Sequence, residues 1–504
     1  MSKKTCDVSV LVAFAASLLF AASAFAQPIC YVNRNFTLTP GVWPACAIED
    51  LDGDGIEDFA LAAENERIPE YPAAYGRVHI YSGRTGAYLR SVYSPNVFPG
   101  YSYTFADRIA GVPDVDGDGA GDLLVSARLE TDVDGSFASG RAYLFSGATG
   151  AVLHTLRPDP ARGPMYFSAE LAAVGDVDGD GRGDVAIAED GFGPGPVYVF
   201  SGATGEVIHL IEPTTFWGPP TVGVTFGDEL SGVPDVDGDG VGDIVIRYAA
   251  QWGNSTSPRG RITLYSGMSG DFLFGIVPTD DVEVFGGLCV QGVPDMNGDG
   301  RGDIVVHVLL DAIPGQVYAR RHRVHFYSGA TGELFRVLAS PASDAELGNS
   351  SFGQQFTWCP DADADGVPDI AISAAAETPV PGGWYNGQVY LYSGATGQII
   401  RRYRSPNPPV QEGYFGAGSV AMLGPHGRPQ FLFSAARERP TCGARLFRAC
   451  LADWNWDGFI DSRDFFDFLP PFFAVEPSAD YNLDGFINSQ DFFDYLAAFF
   501  AGCG

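Results

Sequence analysis

Six nine-residue segments carry aspartate at positions 1, 3, 5 and 9 with almost no variation. They read DLDGDGIED from Asp50, DVDGDGAGD from Asp114, DVDGDGRGD from Asp176, DVDGDGVGD from Asp235, DMNGDGRGD from Asp295 and DADADGVPD from Asp361. Four carboxylates and the backbone carbonyl of position 7 make an all-oxygen donor set of the kind Ca²⁺ takes at ~2.3–2.6 Å. Glycine at position 6 permits the sharp turn that aims them inward. The expected ligands of the first loop are Asp50, Asp52, Asp54, the Ile56 carbonyl and Asp58. Those of the second are Asp114, Asp116, Asp118, Ala120 and Asp122, and of the third Asp176, Asp178, Asp180, Arg182 and Asp184. The fourth offers Asp235, Asp237, Asp239, Val241 and Asp243. The fifth offers Asp295, Asn297, Asp299, Arg301 and Asp303, and the sixth Asp361, Asp363, Asp365, Val367 and Asp369. Without a cation the carboxylates of one loop repel one another, so the metal is expected to be structural.

Two longer loops, 453–464 and 480–491, repeat at a spacing of 27 residues and fit the twelve-residue EF-hand pattern. Their expected ligands are Asp453, Asn455, Asp457, the Phe459 carbonyl, Asp461 and Asp464, then Asp480, Asn482, Asp484, the Phe486 carbonyl, Asn488 and Asp491. Aspartate at position 12 has a shorter arm than glutamate, which favours modest affinity. Each loop leads into an apolar helical stretch, FFDFLPPFF and FFDYLAAFF, and Pro470 and Pro471 are expected to end the first helix early. About six Ca²⁺ ions are thus expected along the main repeats and two in the C-terminal pair.

The elements that must hold the six loops recur with them. Loop starts are separated by 64, 62, 59, 60 and 66 residues. A short apolar run follows each loop, such as LLVSA from Leu123. An aromatic alternating strand ending in Ser-Gly comes next, as in RAYLFSG and QVYLYSG. A Thr-Gly or Ser-Gly turn leads to another strand, and a phenylalanine segment such as Phe226-Gly227 opens the next unit. Four short strands per unit, rich in Val, Ile, Tyr and Phe, describe a propeller blade. A stacked solenoid has shorter repeats with fewer strands. A seventh unit is degenerate: Met422, Gly424, His426 and Gln430 stand at the ligand positions, so that loop is not expected to bind metal. The segment 31–39 is expected to supply its missing strand and close the ring, which removes a sheet edge.

These units resemble FG-GAP repeats, those of integrin α-subunit propellers and many bacterial surface proteins, over roughly 28–448. The C-terminal pair resembles dockerin modules, in particular those ending many planctomycete exported proteins, here with a Gly-Cys-Gly end. The resemblance implies a mainly β fold: a seven-bladed β-propeller with a small α-helical paired EF-hand domain. It also implies a Cys450–Cys503 disulfide and a cohesin-like partner chosen through Ser462, Arg463, Ser489 and Gln490. Domains are expected at 1–26 (signal peptide), 27–448 (propeller) and 450–504 (dockerin-like module).

Lys3 and Lys4, an apolar run over 8–22 and Ala24-Phe25-Ala26 form a cleavable signal peptide, with the mature chain beginning at Gln27. A secreted or cell-surface location follows. The pairing of Cys30, Cys46, Cys289, Cys359 and Cys442 stays open. A formal charge of −32 disfavours nucleic acid and anionic membranes, even after the loops load. Arg182-Gly183-Asp184 and Arg301-Gly302-Asp303 spell an adhesion tripeptide, but each aspartate is a ninth-position ligand turned toward the metal. The longest insertions fall at 64–75, 128–139, 249–259, 309–322 and 376–387, where Trp252, Trp384 and Tyr385 could stack on sugars or cover loop backbone. No catalytic motif is present, and no cofactor beyond calcium is implied. His154 and His209 occupy matching strand positions and read as structural. His322, His325 and His426 with Arg320, Arg321 and Arg323 form the one suggestive basic group. The reading is an exported, calcium-binding, non-catalytic propeller with a protein or glycan ligand, attached through its C-terminal module. The alternatives are a polysaccharide lyase-like enzyme and a structural envelope component.

Overall fold

The computed structural model describes residues 29–31, 44–68, 71–96, 105–130, 140–162, 166–190, 194–213, 225–249, 260–278, 283–285, 289–312, 320–342, 351–363, 365–377, 387–404, 415–416, 419–424, 429–438, 442–447, 454, 462–475, 479, 481 and 486–501. Ile29–Leu446 is one compact unit, and the described residues from Phe447 onward belong to a second.

The first unit is a β-propeller. Six of its sheets are regular antiparallel blades, each cut from one continuous stretch of chain. Blade two shows the plan: Phe105–Val112, Asp122–Ala127, Arg141–Phe145 and Val152–Leu156 pair in sequence order. Its second and third strands are buried throughout and its fourth is half exposed. Blade five carries an extra short strand, Glu283–Val284, beside its second. The opening phenylalanines Phe105, Phe167, Phe226, Phe285, Phe352 and Phe415 are all buried. They meet the aromatic third strand, as in the Phe167–Tyr198 and Phe352–Tyr392 ring contacts.

The remaining sheet is composite. Ser419–Leu423, Pro429–Glu438 and Cys442–Phe447 pair in order, and Ile29–Tyr31 adds to the last of them. The expectation of a seven-bladed propeller is corrected: the unit has six blades, and this further sheet is a composite that joins both of its ends. Its closing strand is Ile29–Tyr31, whereas the sequence pointed to 31–39, most of which lies outside the described residues. Gln430 pairs with Met422 in the register at which Asp58 pairs with Ile48. It is buried, and neither amide atom has a partner among the described residues. In the six regular blades an aspartate stands at this position.

Blades meet through their first strands and are clasped at the rim. The first strand of blade one touches those of blade two and of the composite sheet. Gly111 and Gly292 stand against a carbonyl of the preceding first strand with no room for a Cβ. At the rim, His154 Nε2 lies 3.1 Å from the Ala203 carbonyl and His209 Nε2 2.9 Å from that of Gly267, each in the turn of the next blade. Arg90 and Arg336 reach the corresponding turns at Gly147 and Gly394. The matching histidines are therefore structural clasps.

In the second unit, helices α1 (Ser462–Ala474) and α2 (Ser489–Ala501) pack around Phe468, Tyr495 and Ala479. The Phe468 and Tyr495 rings stack at 4.0 Å. Pro470 and Pro471 do not end α1, which continues to Ala474 before Val475 turns left-handed at φ 58°. Both prolines fall in its second half, where Phe468 and Phe472 are held by stacking, so packing outweighs the lost backbone bonds. No helix among the described residues is long and apolar enough to cross a membrane.

Candidate functional site

The acidic loops link the first strand of each regular blade to its second. Their opening aspartate folds the loop onto itself. Asp50 accepts the Gly53 N–H at 2.7 Å and the Gly55 N–H at 2.6 Å, and Asp176 and Asp295 repeat this. The ninth aspartate does different work. Asp58 accepts from Leu51 N–H within the loop at 2.9 Å and from Gly83 N–H at the end of the third strand at 2.8 Å. Asp122, Asp184, Asp243, Asp303 and Asp369 make the same two bonds. All six are buried. Enclosure raises Asp58, Asp122, Asp184 and Asp243 to about 6, and Asp303 and Asp369 to about 7.

In five loops, three carboxylate oxygens lie within 4.8 Å of one another. The sets are Asp50/Asp52/Asp58, Asp114/Asp116/Asp122, Asp176/Asp178/Asp184, Asp235/Asp237/Asp239 and Asp361/Asp363/Asp365. Hard, anionic oxygens at that spacing, some pushed toward protonation by enclosure, fit a hard divalent cation. In the fifth loop Asn297 turns its amide nitrogen onto Asp299 and Asp303 at 2.9 and 3.1 Å, so its oxygen serves the Asp299 N–H instead.

Neighbouring loops are linked by arginine. Arg182 Nη1 approaches Asp114 at 3.4 Å, and Arg301 Nη1 approaches Asp235 at 2.7 Å. Each guanidinium lies against the left-handed glycine of the preceding loop, Gly117 or Gly238. Both Arg-Gly-Asp tripeptides are thus bound up in the scaffold, with Asp184 and Asp303 buried.

Other sequence candidates separate. Trp252, Trp384, Tyr385 and His426 lie outside the described residues. His322 and His325 do not converge: His322 Nδ1 meets His307 Nε2 at 2.9 Å, while His325 Nδ1 lies 3.3 Å from the Tyr327 hydroxyl. Burial lowers His325 to about 4, so it is neutral. Ser462, Arg463, Ser489 and Gln490 are exposed on the first turns of α1 and α2. Asp464 and Asp491 are buried there, and Asp491 accepts the Asn488 N–H at 2.7 Å; Phe486 is exposed. Asp453, Asn455, Asp457, Phe459, Asp461, Asp480, Asn482 and Asp484 lie outside the described residues, as do Cys450 and Cys503 and the signal segment. Cys46, Cys289 and Cys359 are free thiols, and burial drives all three pKa values up, Cys46 to about 12.

Sequence reasoning missed a polar cluster on the first strands. Arg108, Glu170 and Glu229 each stand one residue before the pairings Ile109↔Val125, Leu171↔Ile187 and Leu230↔Ile246. Arg108 Nε donates to Glu170 at 2.7 Å, and Arg247 binds Asp228 beside Glu229 through Nε at 3.2 Å. Enclosure and the Glu170 charge raise Glu229 well above the usual carboxylate range. The available signal was positional, since each carboxylate stands third after the opening phenylalanine.

The chain is similar to integrin alpha subunits. It is 30% identical over 211 residues to integrin alpha-PS2 of Drosophila melanogaster, 28% over 210 residues to integrin alpha-V of Gallus gallus, and 30% over 233 residues to human integrin alpha-IIb. These matches cover 39, 40 and 44% of this chain and 14, 19 and 21% of the relatives, so the chain spans about a fifth or less of their length. No family profile matches it. Among solved structures, an exotype rhamnogalacturonan lyase aligns with 84% of the chain at 14% identity and a TM-score of 0.43, covering 75% of that protein. Neither that overlay nor the integrin alpha resemblance, which covers less than half of the chain, transfers an activity.

Proposed function

We propose that this protein is an exported, non-catalytic recognition module: an integrin-alpha-like propeller of the FG-GAP type, held rigid by calcium and attached through its C-terminal helices. Ca²⁺ is the cation that suits the five loops whose carboxylate oxygens converge, because those donors are all hard oxygens, and the fifth loop would join them on turning the Asn297 amide oxygen inward. The observation that carries the reading is this repeated acidic loop at the blade hairpin in a chain that is 30% identical over 211 residues to an integrin alpha subunit. The second unit supports attachment. Phe466 and Phe473 on α1 are 63 and 74% exposed, and their counterparts 27 residues on, Phe493 and Phe500 on α2, are 60 and 61% exposed. Four rings presented in duplicate suit a cohesin-like protein partner. The EF-hand ligands, with Asp464 and Asp491 at the starts of α1 and α2, would order these helices.

The test is capture from envelope and secretome extracts by the full chain, with Ca²⁺ and with chelator. A partner retained only with Ca²⁺, and lost on Phe473→Ser with Phe500→Ser, supports attachment through the module. Retention unchanged by chelator and by these substitutions sinks it.

A further inference from the structure

Ring contacts between α1 and α2 fix how the two helices lie. Phe465 meets Phe499 at 6.2 Å, Phe468 meets Tyr495 at 4.0 Å and Phe472 meets Phe492 at 5.5 Å. The pairing runs up one helix and down the other, so they are antiparallel. The 27-residue repeat turns the first of these contacts into the third. A pseudo-twofold axis therefore passes through the Phe468–Tyr495 stack, perpendicular to the plane of the pair, and maps each face of the pair onto itself. At 3.6 residues per turn, Phe466 and Phe473 stand about a quarter-turn from the helix–helix seam, as do Phe493 and Phe500. All four exposed rings thus share one face, with Phe466 level with Phe500 and Phe473 level with Phe493. Asp464 and Asp491, about a quarter-turn the other way, are buried, so the opposite face is covered.

The four-ring face is uncharged. Leu469, Pro470, Leu496 and Ala497 lie among the rings, while Asp467 and Asp494 fall about half a turn from the seam, on the outer sides. Each exposed ring rests edge-on against Phe465, Phe472, Phe492 or Phe499, which orders it in advance. With ~200 Å² to a phenylalanine, rings 60 to 74% exposed leave about 500 Å² open per chain, enough for an apolar patch to mark an interface. We propose that the same face of a second copy of this chain covers it, in an isologous four-helix bundle. Area, symmetry and charge select a second copy. Such a pair buries about 1,000 Å² from phenylalanine alone, the threshold of a specific interface. The internal twofold repeats every contact that the pair makes. On a chain of formal charge −32, an uncharged face is where two copies meet without repulsion. The proposal rests on reading these rings as the attachment face and supplies its regulation, because the pair must part before another protein docks.

Sedimentation equilibrium of the full chain in Ca²⁺ tests it. The wild type should show twice the chain mass. Phe473→Ser with Phe500→Ser should weaken the pair at least about a hundredfold, since two rings of each chain are lost. Ala497→Glu, at an exposed position, sets like charges against each other and should also leave single chains. Circular dichroism checks folding, and where the serine variant fails to fold, Ala497→Glu decides. A single-chain mass for the wild type at every concentration up to about 100 µM, or a dimer unchanged in the folded variants, overturns the pairing. Capture from extracts separates the two ideas. A chain that captures a partner yet sediments singly keeps attachment and loses pairing. A chain that pairs and captures nothing keeps pairing and loses attachment.

Discussion

Ala106 and Ser168 occupy the backbone position that Gly227, Gly353 and Gly416 fill in other blades, all with positive φ. An L-residue there costs roughly 1–2 kcal/mol, and the greater freedom of glycine in the unfolded chain returns about half of that. Ser168 offsets its strain by donating from Oγ to the Arg141 carbonyl at 2.7 Å. Ala106 has only a methyl group. Ala106→Gly should therefore stabilise the protein by about 0.5–1 kcal/mol, seen as a higher urea midpoint at unchanged slope, while Ser168→Gly should not. A lower midpoint for Ala106→Gly would mean that packing of the buried methyl dominates. At this scale the sequence was legible where residue type repeats. The loop aspartates could be aligned by eye, while the burial of Asp184 and Asp303 came only from the structure. The two backbone bonds of each ninth aspartate were not legible, because one partner lies some 18 to 26 residues away in the turn after the third strand. Arg108, Glu170 and Glu229 were hidden for a related reason: they share a register but not a residue type.

Between elements, the loops are not independent. Arg301 lends its charge to Asp235 in the preceding loop, and Arg182 does the same for Asp114. A guanidinium there partly neutralises the loop in the absence of a cation and opposes a cation when one arrives. Arg301→Gln should lower the thermal midpoint in chelator yet raise the affinity of one site about two- to fivefold, given ~0.5–1 kcal/mol for a part-exposed pair. Calcium titration by calorimetry beside melting curves checks both signs. Weaker binding in the variant would show that Arg301 orients Asp235 and does not compete for it. The four-strand repeat and its order were legible from Gly turns and alternating aromatics. The persistence of α1 through Pro470 and Pro471 was not, because local propensity pointed to a stop and ring stacking decided otherwise.

Across the whole propeller, six buried carboxylates titrate near about 6 to about 7, against ~3.9 for an unfolded chain. In metal-free protein the folded state binds these protons more tightly than the unfolded state. The resulting stability is fully present below the unfolded pKa and is lost as pH rises through 6 to 7. Ca²⁺ bound as proposed would hold the same groups ionised and remove that loss. Melting midpoints in chelator should fall between pH 5 and about 7.5, and the gap to calcium-loaded protein should widen over that range. Parallel curves would show that the ninth aspartates are not linked to the cation.

The composite sheet sets an order on folding. Ile29, Cys30 and Tyr31 pair with Leu446, Arg445 and Ala444, so one of the earliest strands must wait for one of the last. Closing a loop of roughly four hundred residues is slow but adds little equilibrium cost for its length. During synthesis the six regular blades can each form locally, while the seam stays open until the chain is nearly complete. A circular permutant of 29–446 cut in a blade-to-blade connection, with Leu446 joined to Ile29 by a short turn, would turn that seam into a local hairpin and move the late step elsewhere in the unit.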